Sequence, residues 1–242
     1  MMRCGVCGVV AMALGGLIAF ELTQPLSKGE ESKDGMGKIP KHVKDTLEWL
    51  PVETETVYVA NGPFKLPRVK GERDTGWEAR WLPMNLLEGI RKGRYWSLLE
   101  GREVLACVEG SCRFRQPRGL GPYFFDGCQV VLLKEALEKG GATFMDRLLD
   151  EANGSEVVKG LEVARFEEQL EGGDWKFYVV LIKGKVLLMA TSRPYLAGVI
   201  SRMQGGKGPV FGRGRKEWKH VDGTADAWAI RRLEREGDEP EG

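Results

Sequence analysis

The stretch KFYVVLIKGKVLLMATS, residues 176–192, decides the fold of this 242-residue chain. Two runs rich in β-branched, aromatic and long aliphatic residues flank Lys183-Gly184, and glycine readily supplies the positive φ that a tight hairpin turn needs. The reading is therefore a pair of antiparallel, buried strands. Immediately after it, Ser192 stands as a helix N-cap with Pro194 in the first turn. Leu196, Val199 and Ile200 then share one face of a helix through Met203, and Gly205, Gly206 and Gly208 end it. One hairpin running straight into one amphipathic helix sets the expectation for the rest.

Outward from that core, the pattern repeats in mixed order. Pro40 opens a short helical segment in which Val43, Leu47 and Leu50 recur at helical spacing before Pro51. Thr56–Ala60 reads as a strand closed by a Gly62-Pro63 turn, and Asn85–Lys92 as a short helix. Tyr95–Leu99 and Glu103–Val108 read as two strands around Gly101, with Cys112–Phe114 returning after a further turn. Gln129–Leu133 is a buried strand. Thr143–Ala152 is a helix with Phe144, Leu148 and Leu149 on its apolar side. Trp228 and Ile230 alternate with small and charged neighbours in a last strand inside Ala225–Leu233. Hairpins without regular strand–helix–strand crossovers predict an α+β domain: a mainly antiparallel sheet with helices packed on one face, in one body or in two lobes meeting near Arg118–Pro122.

The N-terminus has a different character. Arg3 is followed by an uncharged run from Cys4 to Phe20, ended by Glu21. A basic residue before and an acidic one after orient such a segment with its N-terminus inside and the rest of the chain outside. The run falls short of the roughly 20 residues of a comfortable span, and its one A-x-A, Ala11-Met12-Ala13, would leave a very short apolar region if cut. The balance favours an uncleaved anchor over a signal peptide. Residues 1–22 are thus read as the export segment and 23–38, rich in Gly, Ser and Pro among mixed charges, as a tether. Residues 39–233 form the extracytoplasmic domain, and 234–242 an acidic tail. The expected location is outside the cytoplasm, held in the cytoplasmic membrane, or periplasmic or secreted after cleavage.

Basic residues number 36 and acidic residues 35, for a net charge of +1, which gives no general attraction to nucleic acid or anionic lipid. His42 and His220 are the whole supply of imidazole and sit at no ligand spacing, so neither a metal site nor a His-based triad is expected. No cofactor motif occurs: Gly205-Gly206-Lys207-Gly208 lacks the order of a phosphate loop and a following Ser or Thr. Neighbouring carboxylates such as Asp150-Glu151 and Glu167-Glu168 read as solvated surface.

Two sets of residues could carry function. Cys107 and Cys112 bracket Val108-Glu109-Gly110-Ser111, a spacing that across a hairpin loop would bring two thiols together as a disulfide. Cys128 is then the odd thiol, and it could pair with either neighbour instead. A redox use of these thiols is the alternative to a structural bridge. The second set is Trp77, Arg80 and Trp81. An offset of four puts both indoles on one side of a helix or a strand, where they could stack on a sugar, an aromatic side chain or a base beside the guanidinium, or else fill the core. The functional expectation is a non-catalytic, membrane-tethered or secreted binding or accessory module whose partner is an envelope protein or ligand. An extracytoplasmic thiol-dependent redox enzyme is the alternative.

The combination of Trp49-Leu50-Pro51 with Glu53-Thr54-Glu55-Thr56, Leu99-Glu100-Gly101-Arg102, Arg113-Phe114-Arg115, Gly127-Cys128, Trp218-Lys219-His220-Val221-Asp222 and Trp228-Ala229-Ile230-Arg231 resembles a group of exported bacterial proteins of unknown function. The resemblance implies export and an α+β domain, and it brings no catalytic residues.

Overall fold

The computed structural model describes residues 38–66, 94–112, 126–137, 140–170, 173–206, 211, 218 and 220–231. The hairpin that anchors the sequence reading is present: β6 (Gly173–Ile182) and β7 (Val186–Ala190) pair antiparallel. Ile182 O accepts from Lys185 N at 3.0 Å, and Lys183 and Gly184 both take positive φ, 50° and 64°. Around it lie α1 (Lys41–Leu47), β1 (Thr56–Lys65), a 3-10 helix (Arg94–Leu98), β2 (Glu103–Cys112), β3 (Asp126–Leu133), α2 (Gly140–Glu151), β4 (Gly154–Val158), β5 (Leu161–Leu170), α3 (Arg193–Met203) and β8 (Ala227–Arg231). The eight strands of the described residues form one sheet in the order β4-β5-β6-β7-β3-β2-β1-β8. Every pairing in it is antiparallel. The α+β expectation holds, and the strands on either side of residues 118–122 lie side by side in a single sheet.

Strand residues alternate between the two faces, and both faces are covered. On one, Val57, Val59, Val108, Val130, Leu188, Val180 and Trp228 pack with Val43 and Leu47 of α1 and with Tyr195, Leu196, Val199 and Ile200 of α3. On the other, Cys107, Val131, Leu187, Met189, Val179 and Leu181 pack with Phe144 and Leu148 of α2 and with Tyr95, Trp96 and Leu99 of the 3-10 turn. The helices therefore divide between the faces instead of sharing one. The central strands are apolar at consecutive positions, as in Val130-Val131-Leu132-Leu133, and each side of such a strand needs its own cover.

Three further corrections have local causes. Tyr95–Leu99 is a 3-10 turn and not a strand, because Tyr95, Trp96 and Leu99 all bury against the same layer. Gly62-Pro63 lies within β1 at a register shift between Asn61 and Phe64 and does not end the strand; a Cβ on Gly62 would run into the carbonyl oxygens of Val104 and Leu105. Residues 109–111 are not a turn but the continuation of β2 to Cys112. Asn85–Lys92 and residues 1–37, with the export segment and most of the tether, lie outside the described residues. Among the described residues no helix is long and apolar enough to cross a membrane.

The β4–β5 hairpin turns on a second Lys-Gly pair, with Lys159 at φ 50° and Gly160 at φ 80°. A Cβ on Gly160 meets nothing within 4 Å, so backbone conformation alone sets the cost of filling it. Gly160→Ala is expected to destabilise by about 1–2 kcal/mol, the penalty of placing an L-residue in the left-handed region. A urea midpoint shift with unchanged slope measures it. On the α1/α3 face of β4–β6 an ion-pair ladder runs from Arg193 to Glu156 (2.8 Å), Glu156 to Arg165 (3.1 Å), Arg165 to Glu167 (3.3 Å) and Glu167 to Lys176 (3.3 Å).

Candidate functional site

One row of directly opposed residues crosses the whole sheet on the α2 face: Ser155, Ala164, Val179, Met189, Gln129, Glu109, Tyr58 and Ala229. Its middle is polar where the rows below it are apolar. Glu109 and Gln129 are 3% and 1% exposed, and Gln129 Nε2 donates to Glu109 Oε2 at 2.9 Å. A carboxylate at this depth is retained only with hydrogen-bonded partners, and a charge-assisted amide bond is one of the stronger kinds. Gln129 Oε1 is buried and meets no hydrogen-bond partner among the described residues. Beyond this row, towards the strand ends, Thr56, Ser111 and Gly127 form a second polar row, in which Thr191 Oγ1 accepts from Gly127 N at 3.1 Å.

Tyr58 is directly opposite Glu109, on its other side from Gln129. Burial pushes its phenol above the ordinary value, the Glu109 charge adds to the rise, and Arg231 opposes it. The phenol stays protonated and can donate. Tyr58, Thr56 and Thr191 are half-buried while Arg231 is exposed, so the array opens from a dry carboxylate–amide pair to an accessible rim. The reachable part of the array is the phenol and the guanidinium, both donors, while the carboxylate and the amide oxygen behind them are sealed from solvent.

Gln129→Leu tests how firmly the pair is held. It keeps the volume but deprives a buried carboxylate of a donor, and a loss of about 1.5–3 kcal/mol is expected from the ordinary worth of hydrogen bonds to charged groups. Chemical denaturation reads it directly. A variant as stable as the parent would show that Glu109 does not depend on the amide.

The cysteines are placed differently from the sequence expectation. Cys107 and Cys112 lie on one strand, five residues apart, and an odd offset sends them to opposite faces of the sheet. Five residues of strand also separate them by roughly 16 Å, far beyond the reach of a disulfide. The Cys107–Cys112 bridge is not formed; both thiols, and Cys128, are free. Cys107 packs on the α2 face and Cys128 on the α1/α3 face, both fully buried. Burial is the main cause that raises all three thiols, Cys112 to about 12, with Glu53, Glu55 and Asp126 adding to it.

Trp77, Arg80 and Trp81 lie outside the described residues. His220 is exposed and His42 is half-buried at the start of α1. Among the described residues no group of three or more His, Cys, Asp or Glu could hold a metal ion. Where β1, β2 and β3 end, Lys65, Gly101, Arg102, Glu103, Lys134 and Glu135 line an open hollow of about 270 Å³. Lys134 and Glu103 already pair there at 2.6 Å, and the mixture of signs gives the hollow no single charge preference.

Glu109 and Gln129 escaped the sequence reading. Their only local signal is a long polar side chain flanked by apolar residues, in Val108-Glu109-Gly110 and Cys128-Gln129-Val130. Comparison with protein-family models, curated proteins and solved structures finds no match.

Proposed function

We propose that this chain is an extracytoplasmic, membrane-tethered binding or accessory module, with its recognition chemistry at the polar end of the α2 face. The observation that carries the reading is the Glu109–Gln129 pair, set beside Tyr58 where the apolar packing of the α2 face gives way to polar residues. A buried carboxylate adds little to stability compared with an apolar residue, so its presence argues for a role in recognition. Export is supported by Arg3, the uncharged run Cys4–Phe20 and the following tether, and by the resemblance to exported bacterial proteins. Trp77, Arg80 and Trp81 remain the proposed stacking residues for the partner, an envelope protein or ligand. The alternative, a thiol-dependent redox enzyme, is disfavoured because reactive cysteines need a stabilised thiolate and burial pushes all three thiols the other way.

The test uses the full chain with a C-terminal epitope, produced in a bacterium. Protease added to spheroplasts should remove the epitope without lysis, and cross-linked partners should be lost in Trp77→Ala/Trp81→Ala and in Tyr58→Phe. An epitope protected until lysis would overturn the topology. An unchanged set of partners in both variants would overturn the assigned surface.

A further inference from the structure

The register of β2 against β3 excludes one disulfide and favours another. Cys128 is opposite Gly110, and Cys112 is opposite Asp126. Cys112 and Cys128 are therefore diagonal neighbours on adjacent strands, and the even offset from residue 110 to residue 112 puts both on the α1/α3 face. Gly110, between them on that face, has no side chain. The space is taken by Tyr195, whose hydroxyl would lie 2.5 Å from a Cβ on Gly110. That hydroxyl bonds Thr54 Oγ1 at 2.7 Å and is close enough to feel both Cys112 and Cys128. Cys112 Sγ donates to Glu53 O at 3.4 Å and Cys128 Sγ to Gln129 O at 3.6 Å, both weak sulfur bonds that oxidation would give up at small cost.

We propose that Cys112 and Cys128 are the pair that forms a disulfide when the protein meets an oxidising thiol–disulfide couple, stapling the end of β2 to β3. Diagonal neighbours stand about 7–8 Å apart at Cα with their side chains closer, against about 4.4–6.8 Å in bridged cysteines. Closure to the usual bridged separation requires the two Cα atoms to approach by about 1–2.5 Å.

Accessibility fixes the order of steps. Half-exposed Cys112 loses its proton to solvent and attacks a small-molecule disulfide, releasing one thiolate and leaving a mixed disulfide. The sulfur of Cys128, giving up its proton, then attacks the Cys112 sulfur and expels the second thiolate. Two protein thiols are oxidised, one external disulfide is reduced to two thiols, and the two protons end on the leaving groups. Cys107, on the opposite face of the sheet, takes no part. The inference rests on strand register and is independent of the binding-module reading.

Full-length protein incubated with oxidised glutathione at alkaline pH, alkylated under denaturing conditions and digested without reduction should yield one peptide pair linking Cys112 to Cys128. The pair should separate on reduction, persist in Cys107→Ser and be absent from Cys112→Ser. Linkage of Cys112 to Cys107, Cys4 or Cys7 would overturn the proposal. So would Cys128 alkylated in full while Cys112 stays free or holds glutathione. The unsubstituted chain gives the decisive map, so the result does not depend on a variant that folds.

Discussion

Trp96→Ala should cost about 3–5 kcal/mol of stability, the range for removing a large aromatic from a packed core. Trp96 is 0% exposed and sits in the 3-10 turn that packs with α2 on one face of the sheet. Beside it Tyr95 meets Phe144 edge-on at 5.8 Å, and Phe166 stacks on Phe177 at 4.9 Å. The aromatic layer is thus continuous from the turn to β5 and β6. A single-domain stability of roughly 5–15 kcal/mol would fall by about a fifth or more. Thermal and urea denaturation measure the loss, and a decrease under 1 kcal/mol would mean that the turn does not close the α2 face.

The second large effect is kinetic. Cys112 is pushed up to about 12, by burial first and then by Glu53, Glu55 and Asp126, against about 8.5 for a free thiol. At pH 8 its thiolate fraction, and with it the rate of alkylation by iodoacetamide, should be on the order of a thousandfold below that of the same cysteine in the unfolded chain. Peptide mapping of a labelling time course isolates Cys112 from the other thiols. A raised thiol also has a defined influence on stability. Its contribution is complete below the unfolded value and is lost as pH rises towards 12, so the folded protein should weaken on the alkaline side. Labelling as fast in the folded state as in urea would reinstate the thiol-enzyme reading.

Much of the scaffold was legible because its signals are local. The 176–192 hairpin announces itself by a Lys-Gly turn between apolar runs. Helix α3 starts where Ser192 predicts, with its hydroxyl accepting from Tyr195 N at 3.5 Å. The β4–β5 hairpin carries the same turn dipeptide, yet its strands mix Glu156, Glu162, Arg165 and Glu167 with their valines. Glu156 and Arg165 satisfy each other across the two strands in the ion-pair ladder, which Glu167 extends along β5, and Glu162 accepts from Ser155 instead. Gly110 misled for another reason: beside Ser111 it reads as turn chemistry, whereas its value is its size, which leaves room for the Tyr195 hydroxyl. The carboxylate–amide pair was illegible because its meaning lies in register. Glu109 faces Gln129 only after twenty residues of chain have come back on themselves.

The position of β8 has a bearing on biogenesis. It pairs with β1 along Thr56–Ala60, so the first of the described strands to be synthesised acquires its outer neighbour only after the other described elements have been made. Asn61 repeats the dependence, because its amide donates to the carbonyls of Gly223 and Ala225 at 3.0 and 2.6 Å. Until translation reaches that point β1 keeps an open edge. On the export proposed above, late closure of this kind leaves the first strand unpaired on one side while the chain crosses the membrane.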